Sequence, residues 1–218
     1  MRECATTGSS EVGDVVINRI VSYLKDKKFR DTHLEIGTAA AGTLKRIMLA
    51  YDDQQRPEFM VVDPMTYFPN QFEIVKNNLQ NAGIDPKEII FYTTKSSIAY
   101  KKILHSGKRF DFIFIDGAHK IKQVWQDLRY TNMLNTGGIL CVDDYLGVPQ
   151  VQIPVDMFLK KNPIYKIMSI EDRTLFIEKT SSVKNKVDIL AICMIPFINL
   201  FFQWRTSYMK RFSKKMGA

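Results

Sequence analysis

Phe110-Asp111-Phe112-Ile113-Phe114-Ile115-Asp116-Gly117-Ala118-His119 reads as a buried strand that ends in an acid and offers a histidine three residues later. A second apolar strand, Gly138-Ile139-Leu140-Cys141-Val142, ends in Asp143-Asp144-Tyr145. Near-continuous apolar runs of this kind suit strands covered on both faces, as in a parallel sheet. Neighbouring strands lie about 4.8 Å apart, so carboxylates leaving two adjacent ends can meet around one point.

Working outward, helix and strand signals alternate from residue 11 to about residue 160. Val12, Val15, Val16, Ile20 and Leu24 mark an amphipathic first helix. His33 to Ile36, Phe59 to Val62 and Glu88 to Tyr92 read as further strands. Helices are expected over Ala41 to Tyr51, Phe72 to Ala82, Ser97 to Leu104, near 120–134 and near 151–160. Tyr165 to Ser169 and Thr174 to Ile177 flank Ile170-Glu171-Asp172-Arg173, a hairpin turn. The pattern predicts an α/β fold: a doubly wound, mostly parallel sheet with helices on both faces and a C-terminal antiparallel hairpin. Ligands in such sheets bind beyond the C-terminal strand ends, where the strand order reverses.

Bulk properties narrow the classes. Residues 1–180 are read as one domain and residues 181–218 as an apolar and basic appendage. Of the net charge of +8, the last 38 residues supply +6, so the basic excess belongs to the tail and no nucleic-acid partner is expected. Cys4, Cys141 and Cys193 form no paired motif, which points to a reducing, cytoplasmic setting. No apolar run follows the first residues, so no signal peptide is expected.

The loop Glu35-Ile36-Gly37-Thr38-Ala39-Ala40-Ala41-Gly42-Thr43 follows the first strand. Gly37 allows a tight turn, and the next helix start can face a polar ligand. Asp63 ends the second strand, where an acid can accept from ribose hydroxyls. The loop has neither the glycine order of a dinucleotide site nor the ending of a phosphate-binding loop.

With these residues in hand, the chain resembles the class I methyltransferases that use S-adenosylmethionine. Glu35-Ile36-Gly37 is similar to the first motif of that family, and Asp63 to its ribose-binding acid. Ile113 to His119, followed by Gly137 to Tyr145, resembles the small metal-dependent O-methyltransferases, which include the catechol-type enzymes and those acting on sugars and antibiotic precursors. The resemblance covers roughly residues 12–178. It implies that Glu35, Gly37, Thr38, Gly42, Asp63, Ser96 and Asp116 bind the donor. This chain departs from the resembled family in carrying alanine where glycine is usual, at Ala39 or Ala41, and Lys95 before Ser96.

Asp116, Asp143 and Asp144 are the candidate metal ligands. Three carboxylates brought together raise one another's pKa unless a cation lies between them. An all-oxygen set suits magnesium, with calcium and manganese also open. A divalent ion would orient an acceptor hydroxyl and lower its pKa. His119 is the candidate general base beside Asp116, since an imidazole with an ordinary pKa of about 6.5 takes a proton near neutrality. Trp125 and Tyr130, at helical spacing, are expected to pack, and His33 and His105 to be structural or exposed. The expected activity is metal-assisted methyl transfer to a hydroxyl of a small molecule or sugar. The alternatives are a metal-independent methyltransferase and a noncatalytic domain that kept the fold.

In the tail, Ile189 to Phe202 is apolar apart from Asn199, is interrupted by Pro196, and is flanked by Lys184, Lys186, Trp204, Arg205, Lys210 and Arg211. A spanning helix needs about 20 apolar residues. Two readings stay open: an anchor on an anionic membrane surface, and a helix packed on the domain or on a second copy in a homodimer.

Overall fold

The computed structural model describes residues 7–52 and 54–186, with residues 194, 196–198, 200–201 and 204 of the tail. Helix α1 (Asp14–Lys27) leads into β1 (Thr32–Ile36), and α2 (Gly42–Met48) into β2 (Phe59–Val62). Then follow α3 (Gln71–Asn81), β3 (Ile89–Tyr92), α4 (Ser96–His105), β4 (Phe110–Ile115), α5 (Ile121–Leu128) and β5 (Leu134–Val142). Helix α6 (Pro149–Lys161) precedes the hairpin β6 (Tyr165–Glu171) and β7 (Thr174–Lys179).

The seven strands form one sheet in the order β3-β2-β1-β4-β5-β7-β6. Pairings among the first five are parallel, and β7 joins β5 and β6 antiparallel. The mostly parallel, doubly wound sheet and its closing hairpin are therefore as expected. The order reverses between β1 and β4, which opens the crevice at the ends bearing Gly37 and Asp116.

Alternation along each strand divides the core between the two faces. Leu34, Ile36, Ile113, Ile115, Leu140 and Val142 pack with Ile103, Leu128 and Val155 of α4–α6. Phe112, Phe114, Ile139 and Cys141 pack with Ile20, Leu44 and Leu79 of α1–α3. Phe114 is fully buried, and truncating such a ring costs about 3–5 kcal/mol. The near-continuous apolar run of β4 is thus explained by two covered faces.

Two elements differ from expectation. The helix expected to reach 134 stops at Leu128 and tightens into a 3-10 turn over Arg129–Met133. Strand β5 starts at Leu134, opposite Phe110, and Gly137 with φ 81° lets it realign before Ile139. The closing turn is also shorter, because Ile170 and Glu171 still pair with Leu175 and Thr174. Asp172, with φ 51°, makes the tight reversal that leaves only Asp172 and Arg173 unpaired.

The chain past residue 180 stays tied to the sheet domain as far as Lys186. Tyr165 donates to Asn185 Oδ1 at 2.6 Å, and the Lys186 amide donates to Asn162 Oδ1 at 2.6 Å. Most of the apolar tail lies outside the described residues. Within it, Met194, Phe197, Leu200, Phe201 and Trp204 are helical and exposed. No helix among the described residues is long and apolar enough to cross a membrane.

Candidate active site

The strand ends are stitched in series. The Gly37 amide donates to Val62 O, the Asp63 amide to Tyr92 O, the Asp116 amide to Ile36 O and the Asp143 amide to Ile115 O. This parallel stagger gathers Glu35, Gly37, Asp63, Asp116, Asp143 and Asp144 along one rim.

Gly37 has φ 86°, and a Cβ there would come within 2.1 Å of Asp116 O. Backbone meets backbone at the switch point, and no side chain fits. Gly42 is constrained from elsewhere: its Cβ would meet Ser9 O at 2.2 Å, so its bare side faces the N-terminal segment. Ser10 and Thr43 hydroxyls join at 2.6 Å across that contact. Ala39 and Ala41 adopt φ 44° and 65°, left-handed conformations that cost an L residue about 1–2 kcal/mol. The loop holds them through α3: Gln71 donates to Ala39 O and Asn78 to Ala40 O, both at 2.9 Å. The alanines thus follow a backbone path that glycine would follow more easily.

Asp63 does two jobs in this geometry. Its Oδ2 accepts from the Thr38 amide at 3.0 Å, and its Oδ1 from the Met65 amide at 2.6 Å, fixing the loop. Burial raises its pKa, offset by those amides. Glu35 is buried, and its Oε2 has no hydrogen-bond partner among the described residues; nor has the buried Thr38 Oγ1. Burial, and then the charge of Asp63, push Glu35 up to about 8. These orphaned oxygens, the tight Gly37 turn and the Asp63 carboxylate fit a ligand that brings its own ammonium and hydroxyl donors. S-adenosylmethionine is such a ligand, with Glu35 and Thr38 available to its amino-acid end and Asp63 to its ribose.

Ser96 opens α4 and lies against Asp127 of α5, whose carboxyl burial pushes up to about 7. Tyr130 donates to Ser96 O at 2.7 Å. A Cβ on Gly117 would lie 3.6 Å from Asp127 Oδ2, which brings Ser96 and Asp127 to the same rim as Asp116. Asp127 went unread in the sequence, although an acid on the apolar stripe Ile121, Val124, Leu128 was a visible signal.

Asp116, Asp143 and His119 line one small cleft with Asp127 and Val151. Asp116 is held well above the carboxylate range by burial first, then by Asp143, Glu35 and Asp144. Asp143 is raised by burial and accepts a hydrogen bond from Thr174. Asp144, at φ 54°, faces His119 Nε2 at 3.2 Å and Arg173 Nη1 at 2.9 Å. Asp116, Asp143 and Asp144 are the residues expected to form a three-carboxylate cation site. Among the described residues no group of three histidine, cysteine or acidic side chains is arranged to hold a metal ion. The donor atoms are of the right kind, but Asp143 is turned to Thr174 and Asp144 to two cationic or proton-bearing groups. As arranged, the set does not fit a divalent ion.

The remaining expectations concern packing. Tyr145 donates to Asp156 Oδ1 at 2.7 Å, binding the β5 end to α6. Tyr130 is fully buried, and Trp125 packs against the same core. His33 is buried against Tyr51, whose hydroxyl lies 2.6 Å from Nε2, and burial lowers it to about 4.

Comparison with known proteins adds an independent line. The family model described as a methyltransferase domain matches residues 34–145, a little over half of the chain. No curated protein matches. Among solved structures, the O-methyltransferase NovP superposes with a TM-score of 0.65 at 16% identity, over 79% of this chain and 82% of that one. An O-methyltransferase from Bacillus cereus in complex with SAH gives 0.64 at 14%, over 80% and 86%. TomG from Streptomyces achromogenes, in complex with SAM, gives 0.61 at 13%, over 83% and 91%. At these identities the likeness shows the fold, that of the class I S-adenosylmethionine-dependent methyltransferases.

Proposed function

This chain belongs to the methyltransferase domain family, and from that premise we propose that it transfers a methyl group from S-adenosylmethionine to a hydroxyl of a small molecule or sugar. One observation carries the reading: a donor cradle of Glu35, Gly37, Thr38 and Asp63 continues along the same rim into the Asp116, His119 and Asp144 corner. When bound, the donor supplies an electrophilic methyl carbon on a sulfonium; that carbon bonds to the acceptor oxygen as the C–S bond breaks, leaving its electron pair on a neutral thioether.

The protein's part is alignment and proton handling. Gly37 lets the β1 and β4 ends approach closely enough for donor and acceptor to meet. Asp116, at the junction of the two halves, borders both. His119 Nε2 lies 3.2 Å from Asp144 Oδ2, and in this reading Nδ1 is the nitrogen that takes the acceptor's proton. Of two routes to acceptor activation, a magnesium ion on Asp116, Asp143 and Asp144 or the chain's own groups, the pairing of Asp144 with His119 and Arg173 favours the second.

In the same reading this is a cytoplasmic enzyme of residues 1–180 whose tail rests on an anionic membrane surface. The exposed Phe197, Leu200, Phe201 and Trp204, followed by Arg205, Lys210 and Arg211, support that position.

Calorimetric titration with S-adenosylmethionine and its demethylated product tests the donor half. Labelled methyl transfer to a panel of phenols, sugars and nucleotide sugars tests the acceptor half. No binding of either donor species would overturn the reading, and labelling confined to nitrogen or carbon acceptors would overturn the hydroxyl assignment.

A further inference from the structure

The turn between β6 and β7 is bound to the carboxylate corner at several points. The Leu146 amide donates to Arg173 O at 3.1 Å, and the Thr174 hydroxyl donates to Asp143. A Cβ on Gly147 would lie 3.7 Å from Arg173 Cδ, so the β5–α6 loop and the arginine stem lie side by side. From this seat Arg173 Nη1 reaches Asp144 Oδ1 at 2.9 Å, and the other oxygen of the same carboxylate faces His119. The Asp144 side chain is 13% exposed and that of Arg173 is 55% exposed, so the arginine closes the corner from the solvent side.

We propose that Arg173 supplies the fixed positive charge at the strand-end carboxylates that a divalent cation would otherwise supply, so that methyl transfer by this chain needs no metal. The inference rests on the methyltransferase reading. A guanidinium keeps its charge at all working pH values and presents donors in a planar fork suited to a carboxylate. The pairing with Asp144 is one of charge at 2.9 Å, since Oδ1 has no hydrogen-bond partner among the described residues; the positive charge steadies the carboxylate that faces His119. Arg173 is thus a positioning residue, and the acceptor's proton still ends on His119. A guanidinium and a hydrated divalent ion compete for the same oxygens, and the arginine is tethered at the site by the hairpin.

The test uses the full chain with manganese as the probe ion, followed by calorimetry and paramagnetic resonance. Wild type is expected to bind no manganese at the rim and to turn over equally with and without chelator. Arg173→Ala is expected to lose about tenfold in kcat, of the order that one preorganised charge is worth or less, with donor affinity unchanged. It should also gain manganese binding, and added magnesium should restore part of its turnover. Arg173→Lys, which keeps the charge, should retain most of the activity and gain no metal. Stoichiometric manganese binding by wild type, or loss of its turnover under chelation, would overturn the proposal. So would an Arg173→Ala variant that gains no metal and keeps its kcat. Donor binding by wild type is measured in parallel. Its failure would sink the methyltransferase reading, while the manganese comparison would still decide the charge substitution.

Discussion

Glu35→Gln isolates the energetic consequence of building a donor cradle in the core. Glu35 is 5% exposed with an orphaned Oε2, and burial plus Asp63 raise it from 4.5 to about 8. As pH rises, the unfolded chain gives up this proton first. Protonated Glu35 is therefore neutral to stability below the unfolded value. Its destabilising effect accrues through the window from 4.5 to about 8 and is complete above it. At about 1.4 kcal/mol per unit, the gap amounts to about 4–5 kcal/mol when fully developed, of which about 3–4 kcal/mol appears between about pH 5 and about pH 8. In a chain of this length each kcal/mol moves Tm by about 2–4 °C. Scanning calorimetry of wild type and Glu35→Gln at the two pH values, at constant ionic strength, should show wild type losing roughly 10 °C more than the variant. Asp63, Asp116, Asp127 and Asp143 are also raised and remain in both proteins, so the readout is the difference between the two falls. The variant should also bind the donor more weakly. Parallel Tm curves for the two proteins would refute the claim that burial and Asp63 hold the Glu35 carboxyl well above its ordinary value.

His119→Gln should lower kcat by about 10²-fold or more with little change in donor affinity; single-turnover assays beside donor calorimetry separate the two. Gly37→Ala forces a Cβ to within 2.1 Å of Asp116 O at φ 86°, so the variant should lose cooperative unfolding or drop sharply in Tm. Ala39→Gly relaxes a left-handed alanine and should stabilise the fold by about 1 kcal/mol in denaturant titration, with turnover unchanged. The full chain should float with anionic vesicles and not with neutral ones, and a chain ending at Lys186 should float with neither; concentration-dependent dimerisation without flotation would show that the tail joins two copies instead.

How far the residues spoke for themselves can be judged strand by strand. Phe110 to Ile115 could be recognised because a strand covered on both faces must be apolar at nearly every position, whatever lies around it. Glu35, Gly37, Asp63 and Asp116 were legible as rim residues because parallel strands all end on one edge. The length of α5 was not, since its end depends on where β5 begins pairing with β4, a contact between distant segments. The role of Gly42 was equally hidden, because Ser9 and Ser10 cross it only in the folded chain.

The sequence by itself determined the alternation of elements, the sheet class and the set of acids at the strand ends, since those follow from local periodicity and chain direction. Only the tertiary structure decided what the acids face. Arg173 is 29 positions from Asp144 in sequence, and only the β6–β7 hairpin, folded back beside β5, brings the two to 2.9 Å. Charge pairing acts through space and not along the chain. A carboxylate trio that reads as one cluster in one dimension has, in three, an arginine from a distant hairpin beside one of its members.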